Sequence, residues 1–360
     1  MQIGIDISRL TTTQRTGTER YTEEVLAGMA AIPGDNEFWL YCRTSPVALP
    51  PFAGRMQVRV MPFARLWTHI RLAAELWLHP PDVLFVPSHV LPWNVRLVRG
   101  MRVVTTVHDL GFLHFPQAHT RFQNIYLRIT TRWAAWAADR VIAISQATAD
   151  DLVRYTGVDR RRVVVIPHGV APVFTPLAKK TMPWSRYMLY VGTLQPRKNL
   201  PRLIAAFAKA NLHPDTQLVI AGRAGWLSEP LAQIARDHGV ADRVHLIGFV
   251  PDVDLPSLLA GARAFVFPSL YEGFGMPVLE AMASGAAVLT STTSALPEVA
   301  GDAACLVDPT DVNAIAAGLS HLDGDDAYHD DLVFKGFRQA LRYSWGECAA
   351  TTLAVLRGNR

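Results

Sequence analysis

Two glutamates eight positions apart, Glu272 and Glu280, bracket a Gly-Phe-Gly turn in the stretch SLYEGFGMPVLEAMASG, residues 269–285. A helix is expected from Met276-Pro277, because proline suits the first turn. Its unbonded N–H groups, next to Gly273 and Gly275 without side-chain bulk, would form an anion site. Glu272 stands before that helix and Glu280 about one turn inside it, so the carboxylates face different parts of one ligand rather than share a proton. An acceptor-only carboxylate suits a pair of hydroxyls, a ribose in one case and a sugar in the other. The plainer alternative for either glutamate is an ordinary surface residue.

Other residues of the same chemistry sit just after apolar runs. Arg197-Lys198 in YVGTLQPRKNLPRLIAAF combine a donor fork with a point charge, a pair suited to a diphosphate, the alternative being a solvated basic turn. Gly222 and Gly225 would allow close backbone approach to a flat or anionic ligand. Gly248, Phe249 and Val250 could line a base pocket. Asp252 and Asp254 resemble a metal-binding Asp-x-Asp, but their place before a helix favours capping. Among twelve histidines, His108 stands out at the end of the buried-looking run VVTTVHDL, with core packing as the alternative. No His/Asp/Glu set has metal-ligand spacing. A basic clamp neutralises a leaving diphosphate without Mg²⁺, so no metal and no cofactor are expected.

These residues need strands that end beside one another. Apolar runs at 1–7, 36–42, 56–62, 82–88, 102–109, 140–145 and 163–169 alternate with helical patterns such as 17–30 and 147–157. Continuous β-branched runs of that length read as buried parallel strands of a doubly wound sheet. The proline- and lysine-bearing segment 171–184 reads as a linker. A second series follows, with strands at 187–192, 216–222, 243–250, 264–269, 286–291 and 303–308 and helices at 199–210, 227–239, 253–262 and 276–285. Two α/β halves result, and the expected site is the cleft between them.

The bulk properties agree. The chain has 360 residues, 50% hydrophobic and 18% charged, enough for two cored domains. A net charge of +4 favours anionic partners but is no nucleic-acid signature. Cys42, Cys305 and Cys348 form neither a disulfide framework nor a metal spacing, which suits a reducing compartment. The opening MQIGIDISRL alternates like a strand, unlike a signal peptide. No charge-free apolar stretch reaches the length of a membrane span. A cytoplasmic protein is expected, soluble or peripheral to the inner membrane face. Segments 65–81 and 121–140 mix Arg with Trp, Leu and Ile at helical spacing. They read either as a membrane-surface face or as core packing with a solvated rim.

EGFGMPVLEAMASG closely resembles the E-x7-E signature of retaining glycosyltransferases of family 4, and VGTLQPRKN resembles that family's diphosphate-binding Arg-Lys. The likeness covers nearly the whole chain: GIDISRLTTTQRTGTERYTEEVL, VTTVHDL, VIAISQATADDLVRYTGV, VVVIPHGV and the closing YSWGECAATTLAVLR all have counterparts. It implies a GT-B fold, α/β, with two Rossmann-like doubly wound domains facing a central cleft. They would span 1–172, with a crossover helix at 344–360, and 173–343.

The resemblance assigns Arg197 and Lys198 to the donor's diphosphate, helped by the amides of Gly275, Met276, Pro277 and Val278. Glu280 binds the ribose, with Gly222 and the 248–250 backbone near the nucleoside. Glu272 touches a donor-sugar hydroxyl, so Glu272→Ala should cut turnover and leave nucleotide affinity nearly intact. His108 faces the donor sugar, while Gly17, Asp109 and Phe274 lie on the donor-sugar and acceptor side. Two departures bear on the acceptor: the family's Pro-Asn-Gly is Pro167-His168-Gly169 here, and Thr18 replaces a common hydrophobic residue. The implied reaction moves a hexose, mannose from GDP-mannose being the expected donor, to a saccharide or lipid-linked saccharide in bacterial polysaccharide assembly. A sugar-nucleotide epimerase of the same fold and a non-catalytic sugar-nucleotide binder remain as alternatives. A nicotinamide-dependent dehydrogenase is disfavoured, since no Gly-x-Gly-x-x-Gly follows the first strand.

Overall fold

A computed structural model describes residues 1–11, 17–46, 49, 56–118, 120–178, 181–223 and 230–358. In the first half the strands are β1 (Gln2–Asp6), β2 (Glu37–Cys42), β3 (Met56–Val60), β4 (Val83–Val86), β5 (Arg102–Val107), β6 (Arg140–Ala143) and β7 (Val163–Val165). In the second they are β8 (Tyr187–Val191), β9 (Gln217–Ala221), β10 (Val244–Gly248), β11 (Ala264–Phe267), β12 (Ala287–Ser291) and β13 (Cys305–Val307). Each expected run thus contains a strand. The first sheet runs β3-β2-β1-β4-β5-β6-β7 and the second β10-β9-β8-β11-β12-β13. Every pairing is parallel. Both orders reverse once, between β1 and β4 and between β8 and β11, as in dinucleotide-binding sheets.

The strand sequences explain the burial. β4 (VLFV), β11 (AFVF) and β12 (AVLTS) are buried along their whole length, as expected of parallel strands covered on both faces. Two helices absent from the sequence reading, Val312–Gly324 and Asp326–Ala340, cover the second sheet's far end. Their N-caps are Asp311 and Asp325, whose side chains accept from the Asn313 and Tyr328 amides.

The chain divides into a first unit of Met1–Phe112, Thr120–Gly169 and Ser344–Arg360, and a second of Leu113–His119 and Val170–Tyr343. The boundary therefore falls at Gly169/Val170, ahead of the proline-rich stretch. A short insert after β5 belongs to the second unit rather than the first. In the first unit, helix Trp345–Arg357 lies tightly on helix Gly17–Ala31: a Cβ on Gly28 would come within 2.4 Å of the Ala349 Cβ.

Candidate functional site

β8 and β11 are neighbours at the reversal point of the second sheet, where open parallel sheets bind ligands beyond their carboxyl ends. After β8 the chain turns through Pro196–Lys198 and enters helix Leu200–Lys209 at Asn199, whose φ is +65°. Asn tolerates this left-handed backbone better than most residues. Its Nδ2 donates to the carbonyls of Pro268 at 3.0 Å and Pro309 at 2.6 Å, and its Oδ1 accepts from Arg202 at 2.9 Å. Asn199 thus fastens the basic turn to the loop after β11. The sequence reading gave it no role.

The loop after β11 brings Glu272 onto that turn. Its Oε1 lies 2.5 Å from Lys198 Nζ and its Oε2 2.9 Å from Arg197 Nη1. Arg197 Nη1 also donates to the Tyr271 carbonyl at 2.9 Å, and the Arg197 carbonyl accepts from the Leu270 amide at 2.8 Å. Lys198 is 7% exposed and Glu272 8%. Burial by itself raises the Glu272 carboxyl, but the charges of Lys198 and Arg197 outweigh it and hold the group at about 2. The carboxylate is therefore ionised. Sequence reasoning treated the cations and Glu272 as separate devices; the fold joins them in one buried cluster.

Gly275 caps helix Met276–Ala283 with φ +117°, and a Cβ there would meet Leu296 Cδ2 at 2.9 Å. Fewer amide donors are open here than the sequence implies. Pro277 has no N–H, and the Val278 N–H already donates to the Gly275 carbonyl at 2.9 Å. Gly275 and Met276 are left as candidate donors. Glu280 is buried in the second turn of the same helix. The Phe274 ring is buried edge-on against Tyr343, with centroids 5.8 Å apart, so it packs the second unit.

The loops expected to meet the nucleoside rest on glycine. A Cβ on Gly222 would lie 1.8 Å from the Gly192 carbonyl oxygen, and the Gly222 amide donates to the Gly248 carbonyl at 2.7 Å. The chain segments leaving β8, β9 and β10 are therefore laced together. Phe249 is exposed, Val250 is half-buried, and the Arg223 guanidinium stacks 4.0 Å over the Phe249 ring. Sequence reading missed Arg223, although it directly follows Gly222. Gly225 lies outside the described residues. Asp252 and Asp254 are exposed, and the capping expectation fails: Asp254 occupies the N-cap of helix Leu255–Gly261 without a side-chain capping bond. Among the described residues, no group of three or more His, Cys, Asp or Glu could hold a metal ion.

In the first unit, His108 follows β5. Its Nε2 lies 2.8 Å from the Pro87 carbonyl. A carbonyl only accepts, so Nε2 carries the proton and Nδ1 is left as an acceptor. Burial lowers the imidazole below its ordinary value, which keeps it neutral. Tyr21 meets the His108 ring edge-on at 4.9 Å, and His168 stacks on Trp345 at 5.4 Å while lying 5.0 Å from Tyr21. His168, the departure from Pro-Asn-Gly, is thus a buried member of the aromatic cluster beside His108. Asp109 accepts from the Gly111 amide at 3.0 Å and shapes the turn after β5. Gly17 opens helix Gly17–Ala31; residues 12–16 of the glycine loop lie outside the described residues.

Helix Arg121–Ala137 packs through Thr130, Thr131, Ala134 and Ala135 and turns its large apolar residues outward. Phe122 is 78% exposed, Ile125 59%, Ile129 51% and Trp136 58%. Core packing accounts for the inward face of this helix and not for the large apolar residues on its outward face.

The chain matches two family models: Glycosyltransferase Family 4 over residues 15–173 and Glycosyl transferases group 1 over 179–335. It is 30% identical over 366 residues to the O-antigen chain mannosyltransferase B of Escherichia coli, covering 94% of this chain and 95% of that protein. It is also 30% identical over 283 residues to the serotype-specific mannosyltransferase WbdA of Escherichia coli, over 73% of this chain and 33% of that longer protein. A sucrose-phosphate synthase structure from Thermosynechococcus elongatus superposes with a TM-score of 0.78 at 20% identity, covering 99% of this chain and 98% of that one.

Proposed function

The chain belongs to the group 1, family 4 glycosyltransferases, with the GT-B fold, and on that premise we propose that it transfers mannose, with retention, from GDP-mannose to a saccharide or lipid-linked saccharide acceptor in bacterial polysaccharide assembly. The observation that carries the site assignment is the buried Arg197–Lys198–Glu272 cluster at the reversal point of the second sheet. The choice of mannose is supported by the activities of the relatives named above.

In this reading the donor's diphosphate lies against Arg197 and Lys198 and accepts from the Gly275 and Met276 amides. Charge develops on that diphosphate as the anomeric C–O bond breaks, and fixed positive groups stabilise it without reorganising. The acceptor oxygen bonds the anomeric carbon on the same face. Its proton passes to the departing phosphate oxygen, which balances the step. Glu280 receives the ribose hydroxyls, Gly222 and Gly248–Val250 line the base with Arg223, and Glu272 reaches a donor-sugar hydroxyl. His108 offers Nδ1 as an acceptor to the donor sugar, a role given by the family resemblance. The reaction is proposed to need no divalent metal, and activity undiminished by EDTA checks that.

The outward face of helix Arg121–Ala137 is proposed to rest on the inner surface of the cytoplasmic membrane, where a lipid-linked acceptor would be presented. Its charged residues are Arg121, Arg128 and Arg132, and no acid occurs between Asp109 and Asp139. An apolar stripe flanked by arginines suits an anionic lipid surface. No helix among the described residues is long and apolar enough to cross a membrane.

The test is acceptor-dependent release of nucleoside diphosphate across a panel of nucleotide sugars. GDP-mannose should give the highest kcat/KM, and Arg197→Ala and Lys198→Ala should each lower it at least about a hundredfold, the scale of losing a transition-state charge contact. Nucleotide affinity and turnover unmoved by both variants would place the diphosphate elsewhere.

A further inference from the structure

Arg197 and Lys198 do not present two unopposed positive charges. Glu272 bonds both, at 2.9 Å and 2.5 Å, in a setting from which water is largely excluded. A diphosphate gripped by these cations must share them with a fixed carboxylate. Two anions drawn onto the same pair of cations in partly buried surroundings repel each other more strongly than they would in water. Without a ligand, Lys198 and Arg197 hold the Glu272 carboxyl well below its ordinary value, so it meets an incoming diphosphate as an anion.

We propose that Glu272 is an internal competitor for the diphosphate-binding cations, one that weakens the hold on the nucleoside diphosphate product more than the hold on the sugar donor. The inference rests on the diphosphate assignment above and deepens it. The selectivity follows from charge. In the donor the terminal phosphate is esterified to the sugar and carries one negative charge. In the product it is a free monoester whose second ionisation lies near 6, as for other phosphate monoesters, so it approaches two at neutral pH. The departing oxygen first takes the acceptor's proton, and the added charge arises when the freed monoester then releases that proton to solvent, beside a carboxylate that already shares its cations. Glu272 therefore disfavours retention of the product while the cations still hold the donor. This differs from the sequence expectation, in which Glu272 acts on the sugar alone and its loss leaves nucleotide affinity intact.

The test is isothermal titration of inorganic pyrophosphate, GDP and GDP-mannose into the whole protein and its Glu272→Gln, Arg197→Ala and Lys198→Ala variants, each checked for folding by circular dichroism. Glu272→Gln keeps the shape and removes the charge. It should bind pyrophosphate and GDP at least about tenfold more tightly, gain less for GDP-mannose, and show product inhibition by GDP at correspondingly lower concentration. Affinity for pyrophosphate and GDP that is unchanged or weaker in Glu272→Gln, while Arg197→Ala and Lys198→Ala lose it, overturns the competitor role and leaves the diphosphate site standing. Affinity unchanged in Arg197→Ala and Lys198→Ala overturns the site assignment itself. Should Glu272→Gln not fold, Glu272→Asp withdraws the carboxylate by one methylene and should tighten pyrophosphate about two- to fivefold; no gain there overturns the proposal equally.

Discussion

Glu272 links stability to acid at the scale of one side chain. Its folded-state value of about 2 lies below the ordinary 4.5 of a free glutamate. A depressed carboxylate contributes stability that is complete above the ordinary value and is lost as pH falls through the folded one. The contribution is on the order of 3 kcal/mol. Urea midpoints at pH 6, 4 and 2.5 should therefore fall more steeply in the wild type than in Glu272→Gln. The glutamine variant should also be less stable at pH 6, since Arg197 and Lys198 lose their buried partner. Parallel acid limbs in the two proteins would mean that the ion pairs do not persist in solution.

At the scale of the element, two features invite tests. Gly222 leaves β9 so close to the Gly192 carbonyl, 1.8 Å from where a Cβ would stand, that a side chain must push the loops after β8 and β9 apart. Gly222→Ala should cost about 1–3 kcal/mol and lower nucleotide affinity together with the thermal midpoint. A stable variant that binds nucleotide normally would show the loops to be less tightly laced. Helix Arg121–Ala137 presents the opposite case, an element stable in place with its apolar residues outside. Sedimentation with vesicles containing phosphatidylglycerol should capture the protein, and neutral vesicles should capture less. Phe122→Ser combined with Ile125→Ser and Ile129→Ser should reduce capture at least about tenfold, since each buried apolar side chain contributes about 1.5–3 kcal/mol. Equal capture by both vesicle types and by the variant would end the membrane assignment.

At the scale of the whole molecule, the histidines that burial holds below their ordinary value lie on one side of the unit boundary. His69, His89, His108 and His168 all belong to the first unit, and burial lowers all four, His89 to about 4. The unfolded chain then binds more protons than the folded one below about 6.5, so stability falls as pH drops from 7 toward 5. Hydrogen exchange at pH 5 should show β4, β5 and β6 opening before β8, β11 and β12, and His168→Phe should narrow that difference. Simultaneous opening of both sheets at every pH would show that the histidines do not set the acid response.

Much of this protein is legible from residue order alone. Alternating apolar runs and helical periods mark two parallel sheets, because a strand buried on both faces must be apolar throughout, as AFVF and VLFV are. The residue types at strand ends, Arg197-Lys198, Glu272 and Gly275, pick out the candidate site, because binding an anion and a sugar hydroxyl needs those types. What order alone does not contain is which strand ends meet. Glu272 stands 74 and 75 positions from Lys198 and Arg197, and they touch only because β11 lies beside β8 at the point where the strand order reverses. The same holds for the donors lost at Pro277 and Val278 and for the face of Arg121–Ala137 that points outward. Periodicity tells which residues share a face, but only packing against the rest of the chain decides which face is covered and which charges must share a buried partner.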